Sequence, residues 1–335
     1  MTTIKAYAAL EAGAPLQPFE YDAGEIGDHE VEIAVQSCGL CHSDLSMINN
    51  SWRASQYPLV PGHEAIGTVT ALGASVRNLK IGQTVGIGWN SHSCMHCSPC
   101  LSGRQQRCET LTTTIHGRGG FADRVRVQDI WAVPLPEGLD TKSAGPLFCG
   151  GITVFAPLLD FDVKPTDRIG VIGIGGLGHL ALQFTRAWGC EVTAFTSSMD
   201  KAPELKALGA HHVINSRDDD ALKALRGKFD FIISTVNVTL PWHRYVSALA
   251  PEGKLITAGI MPEPMAVSAG ALVGGQKSVG GSDTGAPDMV AKMLEFCARH
   301  DIKPTVEYFP MTQINDAIAH LRSGKARYRV VLTNG

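Results

Sequence analysis

The sequence predicts an α/β protein of two parts, a barrel-like β domain in its first half followed by a doubly wound parallel sheet. Three observations predict it: short strand-like runs before residue 150, an alternation of strand-like and helix-like segments after residue 168, and a glycine hexapeptide at the first turn of that alternation. In the first half, "EVEIAVQS", "AIGTVTAL" and "QTVGIGW" are β-rich runs parted by Gly and Pro turns. From Arg168, strand-like "RIGVI", "EVTAFTS", "HHVIN", "FDFIISTV", "GKLITAG" and "KSVGGS" alternate with helix-like "LALQFTRAW", "APELKALGA", "ALKALRG" and "WHRYVSALA". Parallel strands need such crossovers, which cover both faces of one sheet. After about residue 286, "DMVAKMLEFCARHD" and "INDAIAHLRSG" read as amphipathic helices and "YRVVL" as a closing strand.

Composition narrows the function. The 335 residues are 44% apolar and 18% charged, which is globular, and the net charge of -3 offers no footprint for nucleic acid or an acidic membrane. The N-terminal "MTTIKAYAALEAG" lacks a signal-peptide core. The most apolar run, Ile169 to Phe184, holds five glycines and His179 and falls short of a membrane span. A cytoplasmic location is expected, where nine cysteines stay reduced and point to metal, catalysis or packing.

The hexapeptide "GIGGLG" sets Gly173, Gly175 and Gly178 as G-x-G-x-x-G between a strand and a helix. Such glycines permit a tight turn and let backbone N–H groups and a helix N-terminus approach a pyrophosphate. Dinucleotide binding is therefore expected here.

Cysteine spacing carries the second half of the chemistry. Cys94, Cys97, Cys100 and Cys108 stand three, three and eight positions apart, a set able to close a tetrahedral shell around a structural Zn²⁺. An iron-sulfur cluster is the competing reading, but a bacterial ferredoxin run brings its fourth Cys sooner and follows it with Pro, where Glu109 stands here. Upstream, "CGLCHSDL" fits haem attachment, a redox dithiol or part of a zinc site. A reduced compartment disfavours the first two. Cys41, His63 in "PGHEAIGTV" and Cys149 in "GPLFCGG" would supply two thiolates and an imidazole with a fourth position open, a catalytic arrangement; Cys38 is then a packing residue.

Together, "CGLCHSDLSM", "PLVPGHEAIGTV", the four-Cys run, "GPLFCGGITVF" and "VIGIGGLGHLALQF" resemble zinc-dependent medium-chain alcohol dehydrogenases. The likeness spans essentially the whole chain and is greatest to the cinnamyl-alcohol-dehydrogenase branch and bacterial NADPH-dependent aldehyde reductases. It implies a GroES-like β-barrel catalytic domain over 1–150 and 286–335 and a Rossmann NADP-binding domain over 151–285. It implies two zinc ions per chain, one catalytic on Cys41, His63 and Cys149, with Glu64 as an alternative ligand, and one structural. Asp44 would hold His63 from behind, fixing its tautomer. Ser43 matches a hydroxyl that hydrogen-bonds the substrate oxygen and passes its proton onward. Where many relatives carry a relay His three residues later, this chain has Ser46, so water or the cofactor ribose completes the path. Trp52 and Trp89 would line the substrate channel, and the relatives are commonly homodimers.

Further cofactor contacts are implied around the glycine turn at Gly176 and Leu177, at His42 and Thr153, at Thr235, Val236 and Asn237, and at Gly259, Ile260, Ser282 and Arg329. Cofactor choice is read at the close of "EVTAFTSSMDK". An NAD site usually offers an acid there, whereas Thr196, Ser197 and Ser198 stand here with Lys201 beyond, a set that favours NADP(H). Asp200 is expected to cap the following helix. The function expected is a zinc-dependent hydride transfer between NADPH and aldehydes or primary alcohols. A non-catalytic dinucleotide sensor and a zinc-free quinone reductase are the alternatives, and the open ligand set of Cys41, His63 and Cys149 argues against both.

Overall fold

The computed structural model describes residues 2–261 and 263–334. The chain forms two compact units, Met1–Ile152 with Thr284–Gly335, and Thr153–Asp283.

The first unit is built on one long strand, Glu30–Leu40, whose inward residues Val31, Ile33 and Val35 are buried. It pairs antiparallel with three partners, Ala65–Leu72, Arg124–Gln128 and the C-terminal strand Arg329–Thr333. The last of these brings Leu332 opposite Cys38 and adds to the sheet residues far away in sequence, with Val306–Pro310 paired on its other side. Val330, Leu332, Ile33, Val69, Val85 and Val125 pack on one another in its core. Cys38 lies within that core, fully buried, and burial pushes its thiol pKa well up, as suits a packing residue.

On the same sheet Glu32 is buried opposite Arg126, which it meets through both Nε and an η nitrogen at 3.0 and 2.9 Å, while Arg124 donates at 2.7 Å. Burial raises a carboxyl pKa, but the two guanidinium groups outweigh it and hold Glu32 below the ordinary value of 4.5.

The second unit holds six parallel strands in the order His212–Asn215, Glu191–Thr196, Arg168–Ile172, Phe229–Ser234, Leu249–Thr257, Ser278–Gly281. By chain order this is 3-2-1-4-5-6, the doubly wound dinucleotide topology. The inner strands are continuous apolar runs because both faces are covered: Ile169, Val171, Phe231, Ile232 and Ile233 are buried. The strand order switches sides between Arg168–Ile172 and Phe229–Ser234, which run parallel, so the crossovers diverge there and leave a crevice at the strand C-termini. No helix among the described residues is long and apolar enough to cross a membrane.

Because folding depresses the Glu32 pKa, its contribution to stability is complete above about pH 4.5 and disappears as pH falls through the lower folded value. Glu32→Gln should therefore cost about 2 kcal/mol at pH 7, as expected for charge-assisted hydrogen bonds. Urea denaturation of both proteins at pH 7 and in stepwise acid checks it; a gap that persists unchanged below the carboxylate range would contradict the assignment.

Candidate functional site

The Glu30–Leu40 strand ends one residue before Cys41, which caps the helix His42–Ile48. Asp44, at the third position of that helix, turns back so that its Oδ2 accepts the Cys41 N–H at 2.9 Å. Its Oδ1 accepts the Gly62 N–H at 2.9 Å and lies 2.9 Å from His63 Nδ1. A carboxylate can only accept, so Nδ1 carries the proton and Nε2 presents its lone pair on the other side. That side faces Cys149, whose Sγ is 3.3 Å away. Cys149 follows the short helical turn Gly145–Phe148. Its Sγ is 3.9 Å from Cys41 Sγ.

These atoms fit a tetrahedral metal. With Zn–S near 2.3 Å, a tetrahedral edge between two sulfurs is about 3.8 Å. The ligand atoms of Cys41, His63, Cys149 and Glu64 lie within 4.8 Å of one another, all buried. The thiols share a hydrogen bond that lowers the Cys41 pKa well below its usual value and raises that of Cys149 well above it; burial raises both, and the Arg329 charge also favours the Cys41 thiolate. One thiolate is thus the limit of what the protein's own charges support, and a divalent cation supplies what the second needs.

Glu64 completes the cluster from the opposite direction. Burial raises its pKa against the pull of Arg329, whose buried guanidinium donates to Oε1. Its Oε2 has no hydrogen-bond partner among the described residues, an orphan that a cation in the cluster would relieve. A Cβ on Gly39 would overlap the Glu64 carboxylate, so only glycine leaves room for it. Gly39 is a residue the sequence reading missed, although "CGLC" displays it. Arg329, expected at the cofactor, is found on Glu64.

Ser43 is half-buried, its Oγ 3.8 Å from Cys41 Sγ, while His42 is exposed at the first helical position. Trp89 stands edge-on to His63 with ring centres 4.9 Å apart, and Trp52 meets Trp89 at 5.9 Å. Both indoles pack against Met47, Leu59 and Ile115, forming an apolar wall beside the cluster.

The second cysteine group is a lobe pinned by the short hairpin Asn90–His92 with Thr112–Thr113. Cys94 and Cys100 sulfurs are 4.0 Å apart and those of Cys97 and Cys108 3.9 Å, again near a tetrahedral edge. Burial raises the Cys108 pKa, yet the N–H groups of Cys94 and Thr110 on its sulfur bring it down to about 6. Four sulfurs closing a tetrahedron around one ion would leave no position for a substrate.

In the second unit the glycine turn sits at the crevice. Gly173 has φ +85°, and a Cβ on Gly178 would overlap the Gly173 carbonyl, whereas a Cβ on Gly175 meets nothing within 4 Å. Gly173 and Gly178 therefore make the turn, and Gly175 keeps its outer surface open. Helix Gly178–Trp188 starts there, with Leu177 at its cap and no side chain on its first N–H groups. Thr235 donates to the Ile172 and Gly173 carbonyls, Val236 lies against Gly173 and Gly259, and Asn237 and Ile260 are exposed nearby in the chain. Gly176 and Thr153 are half-buried, and Ser282 donates to the Asp283 carbonyl.

At the end of Glu191–Thr196, Ser197 is exposed and Ser198 and Lys201 are half-buried. The Thr196 hydroxyl is taken up by the Ser198 backbone. Asp200 does not cap the next helix. A 3₁₀ turn over Met199–Lys201 intervenes, so Lys201 occupies the cap position of Ala202–Ala207 and Asp200 falls one residue early, exposed.

The alcohol dehydrogenase GroES-like domain family matches residues 27–137, and the zinc-binding dehydrogenase family matches residues 176–299. Aldehyde reductase AdhA of Synechocystis sp. is 58% identical over 99% of each chain. Cinnamyl alcohol dehydrogenase SbCAD4 of Sorghum bicolor superposes with a TM-score of 0.94 at 36% identity, over 99% of this chain and 98% of the other. The CAD of Helicobacter pylori, solved as a complex with NADP(H), gives 0.90 at 28% identity over 99% and 98%. The chain belongs to the zinc-dependent medium-chain alcohol dehydrogenase superfamily, in its cinnamyl-alcohol-dehydrogenase-like branch.

Proposed function

We propose that this enzyme reduces aldehydes with NADPH, and oxidises primary alcohols in reverse, at a zinc ion held by Cys41, His63 and Cys149. The observation that carries it is the buried three-ligand set with donor atoms at tetrahedral spacing, beside an apolar wall and a proton-carrying hydroxyl. When bound, the metal supplies Lewis-acid polarisation of the carbonyl oxygen and NADPH supplies the hydride. Cys41 and Cys149 as thiolates balance the cation's charge. Asp44 keeps His63 in the tautomer that presents Nε2. Trp52 and Trp89 exclude water and favour an apolar substituent on the aldehyde. Ser43 Oγ–H gives its proton to the substrate oxygen as the hydride reaches the carbon. Ser46 takes the place of a relay imidazole, so water or the ribose hydroxyl returns that proton.

The Cys94, Cys97, Cys100 and Cys108 set holds a second, structural zinc in this reading. Residues 1–150 and 286–335 form the catalytic domain and 151–285 the NADP-binding domain. Ser197, Ser198 and Lys201 receive the 2′-phosphate, supported by the lack of an acid at the end of Glu191–Thr196. We place the enzyme in the cytoplasm, in keeping with nine free cysteines. It is proposed as a homodimer, supported by the Ser278–Gly281 strand at the end of its sheet and exposed Val273 nearby in the chain.

Metal analysis should return two zinc ions per chain. Cys149→Ala should give a folded protein with one zinc and little turnover, and Cys94→Ser should mainly harm folding, since a closed site contributes folding free energy. One zinc in fully active wild type, or iron in the four-Cys site, contradicts the assignment.

Ser43→Ala should lower kcat by about 10² to 10⁴-fold while NADPH affinity barely moves, as for loss of a positioned proton carrier. Near-normal turnover at saturating aldehyde would move that role to water. Ser197→Asp should reduce the kcat/KM ratio of NADPH over NADH, because a carboxylate repels the 2′-phosphate and accepts from the NADH ribose. A ratio indifferent to the substitution removes Ser197 from cofactor selection.

A further inference from the structure

Resting on the NADPH reading above, we propose that Arg217, contributed by the neighbouring strand, is a specificity-determining residue that grips the 2′-phosphate of NADPH together with Lys201. Sheet register brings it there. Thr196 is paired with Asn215, and the Ser216 N–H donates to the Thr196 carbonyl at 2.8 Å, so the chain leaves both strands side by side at the same end of the sheet. Adjacent strands are about 5 Å apart, a gap that an extended arginine spans. Asn215 Oδ1 accepts the Arg217 N–H at 3.0 Å, fixing the turn that carries the residue.

The charges around it leave Arg217 available. It is followed by three aspartates, none of which is ion-paired with it among the described residues. Asp218 caps its helix by accepting the Asp220 and Ala221 N–H groups. Asp219 pairs with Arg244 at 2.6 Å and Lys223 at 2.8 Å, and Asp220 pairs with Lys223 at 3.0 Å. Among the described residues neither Arg217 nor Lys201 has an ion-pair partner, and Arg217 is exposed. Asp200, exposed beside Lys201, offsets part of the lysine's charge. A phosphate monoester carries close to two negative charges at neutral pH, so one partly offset ammonium leaves it unbalanced. A guanidinium fork supplies the second charge and two parallel donors.

The test is equilibrium binding of NADPH, NADH and 2′,5′-ADP to the whole enzyme, followed by nucleotide fluorescence or calorimetry, for wild type, Arg217→Gln, Arg217→Lys and Lys201→Gln. Thermal melts without nucleotide confirm that each variant is folded. Arg217→Gln should weaken NADPH and 2′,5′-ADP by about tenfold, in line with one charge-assisted contact, and leave NADH within about twofold. Arg217→Lys should keep part of the affinity, since charge remains while the fork is lost. A wild type that prefers NADPH and an Arg217→Gln variant that keeps the same preference would overturn the role of Arg217 while leaving the cofactor reading intact. Equal weakening of NADPH and NADH overturns it as well, because the effect would then not lie at the 2′-phosphate. A wild type that binds NADH as tightly as NADPH would instead overturn the cofactor reading itself.

Discussion

Asp44 is the constraint on which the metal cluster depends. A carboxylate with no exposure to solvent is costly unless its lone pairs are used, and here they are used three times. The Cys41 N–H, the Gly62 N–H and His63 Nδ1 all converge on it. These belong to a strand end, a loop and the His63 side chain, so one residue fixes the separation of Cys41 and His63, which stand 22 positions apart in sequence (63 − 41). Any rotation of Asp44 would release the helix cap and the imidazole together.

Charge balance explains the shell beyond. Two thiols 3.9 Å apart in a buried site cannot both ionise on the protein's own account. Arg329 is the fixed cation nearby, and it is occupied by Glu64. Two thiolates would thus stand uncompensated, which is the condition under which a divalent cation binds and releases protons as it does so. Glu64 keeps an unpartnered oxygen in that setting because Gly39 gives it room.

The nucleotide unit follows a different logic, in which topology places the site before any side chain does. The reversal of strand order beside Arg168–Ile172 opens the crevice, and the Gly173–Gly178 turn then exposes a helix N-terminus to it. On the sheet's outer side the ends of Glu191–Thr196 and His212–Asn215 lie side by side, with Ser197 and Arg217 exposed just beyond them. The Thr196 hydroxyl, by contrast, serves its own turn.

The sequence by itself determined the alternating sheet, the two cysteine groups and the glycine turn, since each is a matter of period or spacing along one stretch of chain. It could also name Asp44 and Ser43, which lie within three residues of Cys41. Only the tertiary structure decided that Arg329 meets Glu64, which depends on the C-terminal strand pairing with Glu30–Leu40 across nearly 300 residues, and that Gly39 must lack a side chain, which depends on Glu64 lying beside it at the start of Ala65–Leu72. The capping of the helix after Ser198 was misread for a related reason: a 3₁₀ turn and an α turn share the same local residues, and the choice between them shifts the cap by one position. The pairing of Asn215 with Thr196 is likewise invisible in one dimension, since a parallel sheet sets neighbours by its crossovers and not by nearness in sequence.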